Sequence, residues 1–279
     1  MVEDLFIGID LGGTNIRAGL VNRHALLKKV SIKTKKDAGV ETILHDVFSL
    51  TDQLVHPHVR GIGIGVPGLV DTKQGIVYDV INIPSWQNVP LRKLMGGRYD
   101  IPVAINNDAN CFALAEFYFG KGKESDSMLG LTIGTGLGCG IILNGQLYAG
   151  EHCGAGEFGM IDYLDRFYEY YASGQFFQNV YGLDGGIVYE RASKGDASAI
   201  AMYEEMGAHL GNAVKTMLYA LDVELIVLGG SVSKGFPYFS KKMWAQIRTI
   251  AFKSTAEKLR IEVSALDEPG ILGAAALCY

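Results

Sequence analysis

Two short segments of this 279-residue chain place carboxylates where a reaction could use them. Asn106-Asn107-Asp108-Ala109-Asn110 follows the apolar run Val103–Ile105. It opens a stretch with Ala109, Phe112, Ala113 and Phe117 at helical spacing. The dipole of a helix keeps a carboxylate in its first turn ionised. Asp108 there could accept the proton of a hydroxyl attacking phosphorus; its plainer role is a helix cap. Asp10-Leu11-Gly12-Gly13-Thr14-Asn15 sets a second carboxylate at a strand end beside two glycines and a hydroxyl. In such a turn backbone N–H groups can face phosphate oxygens. Asp10 could then orient Mg²⁺ through water, because that ion dehydrates reluctantly. A plain hairpin turn draws on the same residues.

The glycine pattern recurs. Gly134-Thr135-Gly136-Leu137-Gly138-Cys139-Gly140 lies about 120 residues further on, again between strand-like runs, Met128–Ile133 and Cys139–Leu143. Two glycine hairpins facing each other across a cleft would clamp a nucleoside triphosphate, with Thr14 and Thr135 supplying small hydroxyls. Gly229 and Gly230 follow the buried run Glu224–Leu228 and offer flat backbone for adenine or ribose; alone they read as an ordinary strand-to-helix turn. Gly154-Ala155-Gly156-Glu157-Phe158-Gly159-Met160, with Glu169 close behind, embeds a carboxylate in glycines, which suits either sugar hydroxyls or a mobile surface turn.

Other matches fail. Gly63-Ile64-Gly65-Val66-Pro67-Gly68 satisfies G-x-G-x-x-G, but Pro67 and the polar stretch 71–75 leave no helix N-terminus for a pyrophosphate. No G-x-x-x-x-G-K-[ST] occurs. His56-Pro57-His58 and His152-Cys153 read as solvated loops rather than metal sites.

The elements that must position these residues follow from spacing. A hairpin over 5–21 and a third strand over 26–34 form a meander. Apolar residues at Val40, Ile43, Leu44, Val47, Leu50 and Leu54 predict a helix. Strands are expected at 61–66 and 101–105, helices at 91–99 and 107–119. Asn144-Gly145 signals another hairpin. A long helix over 197–221, a strand at 261–265 and a helix at 270–277 complete an α/β chain of two related halves with a hinge near 106–109.

Composition narrows the class. Lys and Arg number 25 against 30 Asp and Glu, a net charge of −5, which disfavours nucleic acid as a partner. Glycine is 36 of 279 residues, nearly twice the usual share of about 7%. Those glycines belong in turns and where backbone is pressed close. Cys111, Cys139, Cys153 and Cys278 stand far apart, as buried free thiols of a reducing compartment do. The acidic start Met1-Val2-Glu3-Asp4 does not read as a signal peptide. No apolar stretch approaches the roughly 18–20 residues that span a bilayer. A soluble, cytoplasmic protein without a membrane partner is expected.

In their order along the chain these segments resemble the ROK family of sugar kinases and repressors, within the actin/hexokinase-like ATPase superfamily. Asp10–Asn15 matches its first phosphate motif and Gly134–Gly140 its second. Gly65-Val66-Pro67-Gly68 and Pro84–Leu91 match linking segments, and Asn107–Glu116 its catalytic helix. The resemblance implies a two-lobed actin-like ATPase (ribonuclease H-like) fold, with a mixed sheet and flanking helices in each lobe. Residues 1–107 with 266–279 would form one lobe and 108–265 the other. It implies ATP-dependent phosphorylation of a hexose, glucose at O6 first, with Asp108 as general base. Gly68, Asn107, Asp108, Glu157 and Glu169 would lie on the sugar. Asp10, Gly12, Gly13, Thr14, Asn15, Gly134, Thr135, Gly136, Gly138, Gly229 and Gly230 would lie on Mg²⁺-ATP, and a homodimer is implied. The alternatives are an N-acetylglucosamine or N-acetylmannosamine kinase, or a non-catalytic sugar-binding protein. A repressor would carry a winged-helix domain, for which the ten residues ending at Asp10 leave no room.

One departure stands out. Members usually carry Gly-His where this chain has Gly159-Met160, followed by a cysteine-rich zinc loop. Here 161–168 contains neither Cys nor His and is too short for that loop. No structural zinc is expected. Tyr163, Phe167, Tyr168, Tyr170 and Tyr171 are instead expected to pack as an aromatic cluster in its place. Met160 offers a thioether, a poor hydrogen-bond partner, where one polar sugar contact would otherwise stand.

Overall fold

A computed structural model describes residues 4–80 and 83–279; the first three residues of the acidic start lie outside the described residues. By its internal packing the chain forms two compact units. The first holds residues up to Asp126 with Gly140–Ala155 and Ala265–Tyr279, and the second holds Ser127–Cys139 with Gly156–Ser264.

In the first unit β1 (Leu5–Leu11), β2 (Asn15–Val21) and β3 (Leu26–Lys33) make the meander. Helix α1 (Val40–Asp52) buries Ile43, Leu44, Val47 and Leu50, the stripe its spacing predicts. Strand β4 (Val59–Val66) pairs in parallel with β1. A small antiparallel sheet of β5 (Val70–Asp71), β6 (Ile76–Asp79) and β7 (Gln87–Val89) follows, then α2 (Leu91–Tyr99). Strand β8 (Val103–Asn107) joins β4 in parallel and runs straight into α3 (Asp108–Phe119). The strand starts two residues later than predicted, after Pro102, and continues to Asn107 because Asn107 pairs with Val66. The sheet order is β3-β2-β1-β4-β8.

Strand β9 (Met128–Ile133) opens the second unit, and β10 (Leu137–Leu143) returns after the glycine turn. The end of β10 belongs to the first unit, where it pairs with β11 (Gln146–Leu147) across the Asn144-Gly145 turn. A hairpin of β12 (Asp162–Tyr163) and β13 (Arg166–Phe167) leads into α4 (Tyr168–Ala172), α5 (Gln175–Tyr181) and α6 (Gly185–Ser193). The long helix α7 (Ala197–Leu221) starts where Asp196 accepts hydrogen bonds from the backbone of Ser198 and Ala199. Strand β14 (Leu225–Gly229) pairs in parallel with β9 and with β15 (Arg260–Val263). The order β10-β9-β14-β15 thus repeats β2-β1-β4-β8, the duplication implied by the recurring glycine motif. Helices α8 (Phe236–Ile247) and α9 (Lys253–Lys258) separate β14 from β15.

The chain then returns to the first unit as α10 (Pro269–Ala276), with proline in its first turn. Glycine permits the contact: a Cβ on Gly63 would stand 1.7 Å from the Ala274 carbonyl, and one on Gly273 1.6 Å from that of Cys111. Helix α3 is therefore pressed on α10 and groups with the first unit, whereas the sequence reading set a boundary at 107. Gly207 and Gly211 play the same part between α7 and α8. All four cysteines are free thiols; Cys111, Cys139 and Cys153 are buried and Cys278 is half-buried. Among the described residues no helix is long and apolar enough to cross a membrane.

Candidate active site

The junction of β8 and α3 is built from side-chain amides. Asn107 caps the helix, its Oδ1 accepting from the Ala109 N–H at 2.8 Å, and its Nδ2 donates to the Gly68 carbonyl at 3.2 Å. Asn106 Oδ1 accepts from the Asn107 N–H, from Asn110 Nδ2 at 2.9 Å and from the Cys153 thiol at 3.1 Å. Asp108 is the first residue of α3 and is exposed; its Oδ1 lies 2.9 Å from the Ala109 nitrogen. Capping is therefore done mainly by Asn107, and the Asp108 carboxylate stands at the dipole's positive end on the surface. Gly68, Asn107 and Asp108 are brought together. Gly68 has φ +126°, and a Cβ there would stand 2.1 Å from the Asp79 carbonyl. Cys153, expected with His152 in a solvated loop, is instead buried, its thiol spent on Asn106.

The first glycine turn closes through the Gly12 N–H on the Asn15 carbonyl at 3.1 Å. Thr34 pins it to β3, donating from its hydroxyl to the Gly12 carbonyl and from its N–H to that of Thr14. Gly13 and Thr14 border a groove of about 520 Å³ along which Lys33, Lys35 and Lys36 lie. Asp10 is the last residue but one of β1, with its Oδ2 3.0 Å from Arg17, which in turn meets Glu268 at 3.1 Å. Burial pushes the Asp10 carboxyl upward, Arg17 pulls it down, and Glu268 adds to the rise. A largely shielded carboxylate that gains from added positive charge, three residues before the Gly13-Thr14 edge of a groove with lysines, fits Mg²⁺ carried on phosphates.

In the second unit the Gly134 N–H bonds to the Gly136 carbonyl at 3.0 Å. Gly230 has φ +83° and lies flat against β9, where a Cβ would stand 2.4 Å from the Ile133 carbonyl. The second glycine turn and the Gly229-Gly230 pair thus flank one cavity of about 520 Å³, lined by Gly134, Thr135, Gln175, Tyr189, Ser231 and Lys234 among others. Of these lining residues Gly134 and Thr135 belong to the second glycine motif, and Ser231 directly follows the Gly229-Gly230 pair. Gln175, Tyr189 and Lys234 lie on helices and turns without a motif of their own.

Glu157 precedes a single 3₁₀ turn, Phe158–Met160. Partial desolvation, and then the charge of Glu169, hold its carboxyl above the usual glutamate range. Glu169 sits on α4 with its Oε2 2.9 Å from the Leu137 N–H and its Oε1 3.4 Å from Gln175 Nε2. Met160 is 49% exposed.

The aromatic cluster forms. Tyr163 stacks on Tyr168 with centroids 4.4 Å apart and meets Tyr171 edge-on at 5.9 Å, and Tyr170 contacts Tyr171 and Phe167. Helix α7 contributes a face of His209, Asn212 and Thr216 that the sequence reading missed. His209 Nδ1 and Asn212 Nδ2 lie 3.2 and 2.9 Å from the Tyr163 hydroxyl, and Thr216 lies 2.8 Å from that of Tyr168. Their spacing, i, i+3 and i+7, is the signal that could have found them. One imidazole among phenol rings and hydroxyls does not supply the four-donor set of a structural zinc site.

A sequence profile of the ROK family matches residues 6–279. The chain is 28% identical to a glucokinase of Thermotoga maritima, covering 97% of this chain and 96% of that one. It is 30% identical to an N-acetyl-D-glucosamine kinase of Yersinia pseudotuberculosis, covering 98% of each. The solved ROK family glucokinase of Streptomyces griseus, in complex with glucose and AMPPNP, superposes with a TM-score of 0.81 at 27% identity, covering 97% of this chain and 98% of that one. This likeness establishes the actin-like ATPase fold. With the match running from β1 to the last residue, the chain belongs to the ROK family, as an ATP-dependent sugar kinase.

Proposed function

We propose that this sugar kinase phosphorylates a free hexose at its primary hydroxyl, with glucose at O6 as the preferred acceptor. The observation that carries the reading is the exposed Asp108 at the N-terminus of α3, beside Asn107 and Gly68. The sugar oxygen attacks the γ-phosphorus of ATP, its proton passes to Asp108, and the bond to ADP breaks. Asn107, Glu157 and Glu169 take hydrogen bonds with other hydroxyls, and Gly68 keeps the backbone close. Gly12, Gly13, Thr14 and Asn15 attend one part of the triphosphate. Gly134, Thr135, Gly136 and Gly138 attend another, with the nucleoside on Gly229 and Gly230. Asp10 would hold Mg²⁺ through water, and the ion would neutralise phosphate charge. The protein works in the cytoplasm as a homodimer.

The second reading is an N-acetylhexosamine kinase. It is favoured by the 30% identical N-acetyl-D-glucosamine kinase and by Met160, whose exposed thioether offers an apolar surface in place of a polar contact three residues after Glu157. A coupled ADP-release assay across glucose, mannose, fructose, N-acetylglucosamine and N-acetylmannosamine tests both. Glucose with the highest kcat/KM upholds the first reading, and an N-acetylhexosamine in that place upholds the second. No turnover with any of them removes both.

A further inference from the structure

We infer that Glu169 is a positioning residue: its carboxylate fixes the second glycine turn and thereby the nucleotide phosphates. The inference rests on the kinase reading for the identity of the ligand, but the contacts themselves lie within the second unit. Glu169, Ser173 and Gly174 are each tied to a residue of that turn. The Leu137 N–H donates to Glu169 Oε2 at 2.9 Å, the Ser173 hydroxyl donates to the Thr135 carbonyl at 2.9 Å, and the Gly174 N–H donates to the Gly134 carbonyl at 2.7 Å. Gly136 closes the gap between these ties. A Cβ there would stand 2.5 Å from Glu169 Oε2, so the carboxylate lies directly against the turn's backbone.

The strengths are unequal. A carboxylate accepting from a backbone N–H makes a bond about twice as strong as a neutral pair. Glu169 is thus the principal tie, and it holds the turn that borders the nucleotide-sized cavity through Gly134 and Thr135. A carboxylate has about four acceptor sites, so Oε1 retains capacity for a sugar hydroxyl while Oε2 is committed to Leu137.

The far side of the same segment is anchored too. Tyr168, adjacent to Glu169, is buried, stacked on Tyr163 and bonded through its hydroxyl to Thr216 of α7. The aromatic cluster therefore bears, through α4, on the phosphate turn, which gives this loop a part in nucleotide binding.

The experiment uses the full chain with ADP as the probe, titrated calorimetrically without sugar, and reads amide hydrogen exchange at Leu137. Glu169→Ala is expected to weaken ADP about tenfold and to speed exchange at Leu137. Glu169→Gln, whose amide oxygen can still accept, is expected to restore ADP affinity to within about threefold. Ser173→Ala, which removes a second tie from a buried residue, is expected to weaken ADP about two- to tenfold while leaving glucose affinity unchanged. Glu169→Ala with ADP affinity within twofold of the parent, and unchanged exchange at Leu137, overturns the proposal, as does loss confined to sugar binding. Should Glu169→Ala not fold, Ser173→Ala with parental ADP affinity overturns it equally. A parent protein that binds no ADP removes the kinase reading, and Leu137 exchange then still decides whether Glu169 holds the turn.

Discussion

Asn107 donates from Nδ2 to the carbonyl of Gly68 across 3.2 Å, while its Oδ1 caps the helix that begins with Asp108. One side chain thus fixes both the loop after β4 and the first turn of α3. Gly68 takes φ +126°, which a side chain rarely adopts, and its missing Cβ leaves room for the Asp79 carbonyl. Gly68→Ala must therefore move either the loop or β6. The expected outcome is a lowered melting temperature together with a raised KM for the sugar, measured by thermal unfolding and steady-state kinetics. Parental values for both would show that the loop yields without cost.

Asp108→Asn keeps the size and the polar surface of the side chain but removes its ability to take a proton. Since a positioned base contributes about 10²- to 10⁴-fold, kcat is expected to fall by that range, with sugar affinity kept within a few-fold. Calorimetric titration of the sugar beside the turnover assay separates the two effects. Phosphorylation at the parental rate would remove Asp108 as the base.

The sequence showed this junction because chemistry there is carried by adjacent residues: Asn107 and Asp108 announce both a cap and a base. The long helix Ala197–Leu221 was equally legible, having a capping aspartate and a sustained apolar stripe. The sheet β5-β6-β7 was not, because strands of two to four residues cannot establish a period. Helices α4 and α5 escaped for a similar reason, being only five and seven residues long. The bond between Glu169 and Leu137 spans 32 positions in the chain. Nothing local marks such a contact, and a carboxylate among glycines suggested only sugar hydroxyls.

Glu157 offers a pH test. Its carboxyl titrates above the ordinary glutamate value of about 4.3, first because of partial desolvation and then because of the Glu169 charge. The charged form is therefore the costly one in the folded protein. That cost is absent below about pH 4, grows as pH rises through the unfolded value toward the raised folded one, and is constant above it. Glu157→Gln is expected to melt higher than the parent at pH 7 and level with it at pH 4. In kinetics the parent's KM for sugar should rise as pH falls through the raised value, and the Gln variant's KM should stay flat there. Parallel pH profiles for the two proteins would dissociate Glu157 from the sugar.

The aromatic loop yields the last prediction. Tyr163 is the hub of its cluster: it stacks on Tyr168, meets Tyr171 and His209, and receives a hydrogen bond from Asn212. Full burial of an aromatic ring removes on the order of 150–250 Å² from water, and Tyr163 is half-buried, so Tyr163→Ala is expected to cost about 1–3 kcal/mol. Tyr163→Phe keeps the stack and loses only the hydroxyl's partners, about 0.5–1.5 kcal/mol. Chemical denaturation measures both. If rings rather than a metal hold this loop, prolonged chelation leaves the parent's stability unchanged, and elemental analysis of the purified protein finds no stoichiometric zinc. A chelator that lowers the melting temperature as much as Tyr163→Ala does would assign the loop to a metal after all.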